Sequence, residues 1–286
     1  MIRFPWMFKL FPIDSEWREI SKKRNATMNL QLENKTALVT GSTKGIGFAI
    51  ARQLAAEGAN VIVNGRSDAS ARAAAEQIGP RARGLAADVS TAAGCAELLR
   101  QAPSVDILVN NAGIFEPKPF TEIPDEDWDR FYQMNVMSGV RLSRAYLPGM
   151  LQRNWGRILF ISSESGVQIP DEMIHYGMTK AAQIALANGL AQLTKATRVT
   201  VNAVLPGPTA SEGVTEFVGQ LAAGARQSPE EFEKEFFRNV RPTSLLQRFA
   251  TVEEVANTVA YICSPLSSAT NGAAIRVDGG VLRATV

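Results

Sequence analysis

Seven short runs of apolar, often β-branched residues recur along the 286-residue chain, with helical patterns between most of them. They are Thr36–Thr40, Val61–Val63, Gly84–Asp88, Asp106–Asn110, Arg157–Ser162, Val199–Leu205 and Ala274–Asp278. Runs this uniformly apolar suit strands buried on both faces, the condition of a parallel sheet covered by helices. After the first run, Ile46, Ile50 and Leu54 follow at four-residue spacing and Gly58 closes the stretch. That is the pattern of a helix packed by one face, with a glycine stop. Parallel neighbours need crossover connections, and these are right-handed. The pattern therefore predicts a doubly wound α/β fold: a mainly parallel sheet of about seven strands with helices on both faces. No internal repeat, low-complexity tract or Pro/Gly/Ser linker interrupts residues 28–286, and a single domain is expected there.

Composition excludes several classes. A chain of this length buries a substantial core without covalent staples. Cys95 and Cys263 are the only cysteines and His175 the only histidine, which argues against a disulfide framework and a Cys/His zinc site. No metal is expected. The formal charge is +2, and its excess is local. The first 27 residues hold six basic and three acidic residues, leaving 24 basic against 25 acidic in the rest. A nearly neutral body points to a small-molecule partner rather than a nucleic acid.

Residues 1–27 read as an extension. Phe4, Trp6, Phe8 and Phe11 crowd a run broken by Pro5, Lys9 and Pro12, too short and interrupted to span a bilayer. The segment also lacks the apolar stretch and cleavage site of a secretory signal. An interfacial anchor, an arm laid on a partner subunit, and an upstream start ahead of Met28 are the three readings. The third is preferred, with the segment disordered, and no function is assigned to it.

The first strand ends in Thr40-Gly41-Ser42-Thr43-Lys44-Gly45-Ile46-Gly47. Glycines at this spacing let the chain turn sharply and present backbone N–H groups at a helix N-terminus, where a pyrophosphate binds. A tight turn without a ligand is the alternative, but a strand before and a helix after favour a nucleotide. NAD-binding proteins place a carboxylate at the tip of the second strand for the ribose 2′-OH. Here the chain reads Val61-Ile62-Val63-Asn64-Gly65-Arg66-Ser67. No carboxylate stands there, while the planar fork of Arg66 suits a 2′-phosphate and Lys44 can add a second charge. NADP(H) is expected over NAD(H), although an arginine stacked on adenine serves either cofactor.

Tyr176 and Lys180 stand four apart on one helix face. A tyrosine titrating near 10 is a poor proton shuttle at pH 7. A nearby ammonium favours tyrosinate and makes the phenol a usable general acid/base. Ser163, directly after the fifth strand, can hold a substrate oxygen beside it.

Together with Asn110-Asn111-Ala112-Gly113, Asp88, Pro206-Gly207-Pro208-Thr209 and Asp278-Gly279-Gly280, this pattern resembles the short-chain dehydrogenase/reductase family over about residues 30–283. It is most similar to the 3-oxoacyl-thioester reductase-like branch. The resemblance implies a Rossmann-type domain and hydride exchange between NADP(H) and a carbonyl or secondary alcohol. It implies Tyr176 as acid/base, with Lys180 lowering its pKa and holding the nicotinamide ribose. Ser163 would orient the carbonyl and Asn135 would belong to a water-mediated proton relay. Gly41, Ser42, Thr43, Lys44, Gly45, Ile46 and Gly47 would hold the pyrophosphate. Asp88 and Val89 would contact adenine, Asn111, Ala112 and Gly113 the adenosine side, and Pro206, Gly207 and Thr209 the nicotinamide.

His175 points about 100° away from Tyr176 on the helix, so packing is expected of it rather than proton transfer. Glu164 and Ser165 are pocket candidates; Glu164 can meet a polar or cationic substrate group or cap nearby backbone. A lid over about residues 209–241 is implied, as two helical pieces. Ala210–Ala225 holds Val214, Phe217, Val218 and Leu221, and Pro229–Phe237 holds Phe232, Phe236 and Phe237. The small residues of helix Met173–Thr194 allow close helix contact, and a homo-oligomer, dimer or tetramer, is expected. The whole reads as a cytoplasmic enzyme. The alternatives are an NAD-preferring dehydrogenase and a dinucleotide-binding sensor or scaffold without turnover.

Overall fold

The computed structural model describes residues 28–213 and 228–285. Its first half alternates strictly: β1 (Thr36–Val39), α1 (Gly45–Ala56), β2 (Asn60–Gly65), α2 (Asp68–Ile78), β3 (Ala82–Ala86), α3 (Ala92–Gln101) and β4 (Ile107–Asn110). Then follow α4 (Asp125–Tyr132), α5 (Ser138–Gln152), β5 (Gly156–Ile161), α6 (Ile174–Gln192), β6 (Val199–Pro206), α7 (Pro229–Asn239), α8 (Val252–Cys263) and β7 (Ala274–Val277). The seven strands form one sheet in the order β3-β2-β1-β4-β5-β6-β7, and every pairing is parallel. This is the doubly wound, Rossmann-like sheet that the apolar runs predict.

Strand alternation sorts the apolar residues into two cores. Ala37, Val39, Val61, Val63, Ile107 and Val109 face one side and pack with Ile50 and Leu54 of α1 and Val255 and Val259 of α8. Leu38, Ile62, Leu108, Ile158 and Phe160 face the other and meet Leu98 of α3 and Leu142 and Met150 of α5. The period of two explains why runs without a polar residue are needed: each face is covered. Truncating a fully buried side chain such as Leu54 to alanine costs about 2–5 kcal/mol.

Two boundaries differ instructively from expectation. The third strand runs over Ala82–Ala86 rather than Gly84–Asp88. Pairing with β2 begins at Val61 and Ala82, and α2 lies so close that a Cβ on Gly84 would stand 2.4 Å from the Ala71 carbonyl carbon. Asp88 has left the sheet, its carboxylate accepting the Ser90 N–H and hydroxyl. The helix expected over Met173–Thr194 is α6, and α7 extends the expected Pro229–Phe237 to Asn239. Val214, Phe217, Val218 and Leu221 lie outside the described residues, as do residues 1–27. Among the described residues no helix is long and apolar enough to cross a membrane.

His175 is wholly buried at the start of α6, its ring centroid 4.0 Å from that of Phe131 on α4 and 5.9 Å from that of Trp128. Neither ring nitrogen has a hydrogen-bond partner. Burial holds its pKa below the ordinary 6.5; Asp127 and Glu116 pull the other way, and Arg130 and Lys118 add to the lowering. It packs, as expected. Between the lowered value and 6.5 the unfolded chain binds more protons than the folded one, so this residue makes stability fall as pH drops through that window. His175→Leu is therefore expected to raise Tm relative to wild type by more at pH 5 than at pH 8. Thermal melts of both proteins across that range check it, and a pH-independent difference would count against the buried neutral ring.

Candidate active site

The strand order reverses between β1 and β4, and the loops leaving their C-terminal ends meet there. Such a crevice is where open α/β sheets bind ligands. The glycine loop is pinned on both sides. Ser42 donates its hydroxyl to the Val39 carbonyl and its N–H to the Asn64 carbonyl, and the Gly41 N–H reaches Asn64 Oδ1. Asn111 gives its side-chain amide to the carbonyls of Thr40 and Gly41, at 2.9 and 3.0 Å. Gly41 and Gly45 have φ of 59° and 60°, in the left-handed region. A Cβ on Gly41 would stand 2.9 Å from Ala112 Cα, so glycine is required there by backbone conformation and by space.

Lys44 is the N-cap of α1 and gives it no side-chain cap. Glu212 reaches this helix start, its Oε2 accepting the Gly45 N–H at 2.5 Å. Thr43 packs over Gly65, and Ile46 lies half-buried against the core. Arg66 is exposed just past β2 and makes no ion pair among the described residues. Asp88 and buried Val89 follow β3, whose pairing with β2 sets them beside the tip of that strand. On the far side, Thr209 is buried, gives its hydroxyl to the Gly207 carbonyl and pairs with Ala250, fixing the turn after Pro206.

Ser163, Tyr176 and Lys180 come together at the C-terminal end of β5. The Lys180 Nζ donates to the Ile161 carbonyl at 2.8 Å and to Gln183 Oε1 at 3.2 Å, and lies 5.5 Å from the Tyr176 ring centroid. Burial lowers the Lys180 pKa from 10.5 to about 7. The Tyr176 phenol is pushed the other way, well above 10, first by burial and then by Glu164; a hydrogen bond with Ser163 and the Arg241 charge oppose the rise. In the free protein burial is the first cause acting on this phenol, ahead of every neighbouring group.

A five-residue π-helical turn, Gln133–Met137, joins α4 to α5 and carries Asn135. Its side chain is committed: Oδ1 accepts the Ile114 N–H, and Nδ2 donates to the Ile114 carbonyl and Thr179 Oγ1. The widened turn leaves the Asn135 carbonyl to accept from Gln183 Nε2 at 2.5 Å. Asn135 thus connects to Lys180 through Gln183. Such π turns are frequent at functional sites.

Three comparisons bear on this arrangement. The model of the family described as short chain dehydrogenase matches residues 35–221. The chain is 48% identical to an uncharacterized oxidoreductase, YvaG, of Bacillus subtilis (strain 168), over 90% of its own length and 99% of the relative's. It is 36% identical to the 3-oxoacyl-[acyl-carrier-protein] reductase FabG of Aquifex aeolicus, over 89% and 100%. Among solved structures, L-sorbose reductase from Gluconobacter frateurii, complexed with NADPH and L-sorbose, superposes with a TM-score of 0.84 at 31% identity, covering 90% of this chain and all of that one. This chain belongs to the short-chain dehydrogenase family. It is an oxidoreductase of that family.

The residues present fit a dinucleotide. Gly113 leaves open space toward the centre: a Cβ built on it would be 3.4 Å from Asn135 Oδ1 and 3.6 Å from Lys180 Nζ, in contact but without clash. The first turn of α1 presents N–H groups without a cap from its own N-cap residue, and Lys44 and Arg66 are cations without an ion-pair partner among the described residues.

Sequence reading missed three members of this site. Gln183 stands three residues after Lys180, a spacing that places both on one face of α6. Arg241 and Glu212 are reached only through the fold. Arg241 follows α7, which is anchored where Phe236 stacks on Phe249 and Phe237 meets it edge-on, each at 5.2 Å, and its Nε approaches Glu164 Oε1 at 3.2 Å. Two outcomes follow. Lys180 is depressed from 10.5, so the unfolded chain binds more protons between about 7 and 10.5, and its burial costs most at and below neutral pH. Lys180→Met is expected to stabilise the protein by about 1–3 kcal/mol at pH 6 and progressively less toward pH 10, read by chemical denaturation. Glu212→Gln removes a charge competing for the Gly45 N–H, and should tighten NADP(H) about two- to fivefold by calorimetry.

Proposed function

We propose that this chain is an NADP-preferring reductase that interconverts a small-molecule carbonyl and its secondary alcohol, with Tyr176 as general acid/base. The observation that carries the reading is the convergence of Ser163, Tyr176 and Lys180 at the end of β5, beside the glycine loop. The dinucleotide, when bound, supplies or takes up the hydride. The residues of the chain do the rest. Tyr176 gives its phenolic proton to the carbonyl oxygen as the alcohol forms, and takes it back in the reverse direction. A phenol held above its ordinary pKa is protonated at neutral pH but a weak acid, so its donation depends on a positive charge held beside it. Lys180, titrating at about 7, exchanges protons at working pH, and its ammonium stabilises the tyrosinate that donation leaves. The Gln183 amide and Asn135 carbonyl hold that lysine in register. Ser163 orients the substrate oxygen.

Residues Gly41 to Gly47 would hold the pyrophosphate, Asp88 and Val89 the adenine, Asn111 to Gly113 the adenosine side, and Pro206, Gly207 and Thr209 the nicotinamide. Preference for NADP rests on Arg66 and on the missing carboxylate at the β2 tip. Asn64, the polar residue there, is buried and donates to the carbonyls of Gly65, Leu85 and Ala87, so it is committed to structure. The NADPH in the L-sorbose reductase complex agrees with this reading. A dimer or tetramer built on α6 is part of the proposal; Ala185 and Gly189 on that helix are exposed, and nothing stands within 4 Å of a Cβ built on Gly189.

Steady-state oxidation of NADPH and NADH with a panel of carbonyl compounds tests this. Tyr176→Phe is expected to lower kcat by about 10²–10⁴ while NADPH still binds. Arg66→Ala should weaken NADPH about tenfold or more and leave NADH unchanged. Faster turnover with NADH in the wild type would overturn the cofactor preference.

A further inference from the structure

Resting on the reductase reading, we infer that the substrate is a neutral, polyhydroxylated ketone, and that Glu164 is the residue that selects it by accepting the hydroxyl next to the carbonyl. The starting point is where the Ser163 proton goes. Ser163 Oγ donates to Glu164 Oε2 at 2.5 Å, and the same oxygen accepts the Ser165 N–H at 2.9 Å and the Ser165 hydroxyl at 3.1 Å. Glu164 Oε1 accepts from Arg241 Nε at 3.2 Å. Every partner of this 5%-exposed side chain is a donor, so it acts as a carboxylate acceptor within one residue of the reacting centre.

For Ser163 to orient a substrate carbonyl, its hydroxyl must turn from Glu164 to the carbonyl oxygen. Glu164 Oε2 then loses a donor while buried, and an unmade bond to a buried charge is costly. A ketone that only accepts must compete with the carboxylate for one proton. A ketone with a hydroxyl on the adjacent carbon exchanges bond for bond: its carbonyl takes the Ser163 proton, and its hydroxyl gives one to Glu164. Those two substrate oxygens are one carbon–carbon bond apart, a span that matches the close approach of Ser163 Oγ and Glu164 Oε2. The reaction balances as a reduction of C=O to CH–OH, with hydride from the reduced dinucleotide to carbon and the Tyr176 proton to oxygen.

The cavity beyond Glu164 supports the same class. It measures about 230 Å³, room for a small polyol. Gln168, Asp171, Glu172 and Arg241 line it with Glu164, and Ile169, Pro170, Val240 and Val281 supply apolar wall for C–H faces. Three carboxylates against one guanidinium disfavour an anionic substrate. That guanidinium is already spent, since Arg241 also reaches Glu172 at 3.2 Å.

The test uses the full chain with NADPH and matched ketones: hydroxyacetone against butanone, and 2-hydroxycyclohexanone against cyclohexanone, with fructose, acetoacetate and aminoacetone alongside. Wild type is expected to favour each hydroxyketone over its hydroxyl-free partner at least tenfold in kcat/KM. Glu164→Gln and Glu164→Ala should cut that ratio to within about twofold of unity, with NADPH affinity and melting temperature confirming folded protein. Equal rates within the pairs in wild type, a ratio untouched by either substitution, or acetoacetate or aminoacetone as the better substrate would overturn the inference while leaving a carbonyl reductase. Silence with every ketone overturns the reductase reading itself, and the substrate inference with it.

Discussion

The Thr40 hydroxyl, 1% exposed, is the joint on which the site is built. It accepts the N–H groups of Asn111 and Ala112, each at 3.0 Å, and lies 3.4 Å from the Val109 carbonyl. Those bonds tie the end of β1 to the end of β4 where the sheet changes direction. Asn111 then reaches back to the Thr40 and Gly41 carbonyls, so two loops from neighbouring strands act as one rigid rim. The close fit forbids a side chain at Gly41 and at Gly47, where a Cβ would stand 2.4 Å from Asn111 Nδ2. Glycine here answers to packing as much as to any ligand. A loop this constrained holds its N–H groups in place before anything binds, which is what preorganisation requires.

Burial governs the second half of the site. Lys180 and Tyr176 share one helix, yet desolvation moves their pKa values in opposite directions, each toward its neutral form. A lysine at about 7 and a phenol above 10 form a reserve of protons without a fixed charge in the apolar interior. The bonds to Ile161 and Gln183 keep the Lys180 amine in one place whether or not it is charged. Glu164 is the local exception, an acceptor kept beside the phenol by Ser163, Ser165 and Arg241, and it adds to the rise in the Tyr176 pKa. Charge is therefore concentrated on the substrate side of the tyrosine.

What could be read in the sequence was what local physics determines. Both faces of the strands are buried, so their apolar runs carry the sheet and its order of magnitude in strand number. The glycine loop, the Tyr176/Lys180 pair and Ser163 are local patterns in the right succession. The third strand slipped by two residues because Gly84 marks a close helix approach and not a strand start, a distinction only α2 supplies. That the Asn135 carbonyl, and not its committed side chain, meets Gln183 follows from the π turn and has no local signature. Arg241 lies 77 residues from Glu164, and Glu212 lies 167 from Gly45. Neither pairing has a local signature, since an exposed-looking Arg or Glu becomes a site residue only when the chain returns to it.

That division has a chemical consequence. The groups proposed to bind the dinucleotide and move the proton sit at the ends of β1, β4 and β5 and on α6, elements whose positions follow from the sheet itself. The groups that face the substrate cavity come from the segment between β5 and α6 and from the stretch after α7, which is held by the Phe236, Phe237 and Phe249 cluster rather than by strand pairing. Here a buried carboxylate stands directly beside the serine proposed to orient the carbonyl, so under that proposal substrate choice and carbonyl orientation are coupled through a single hydrogen bond.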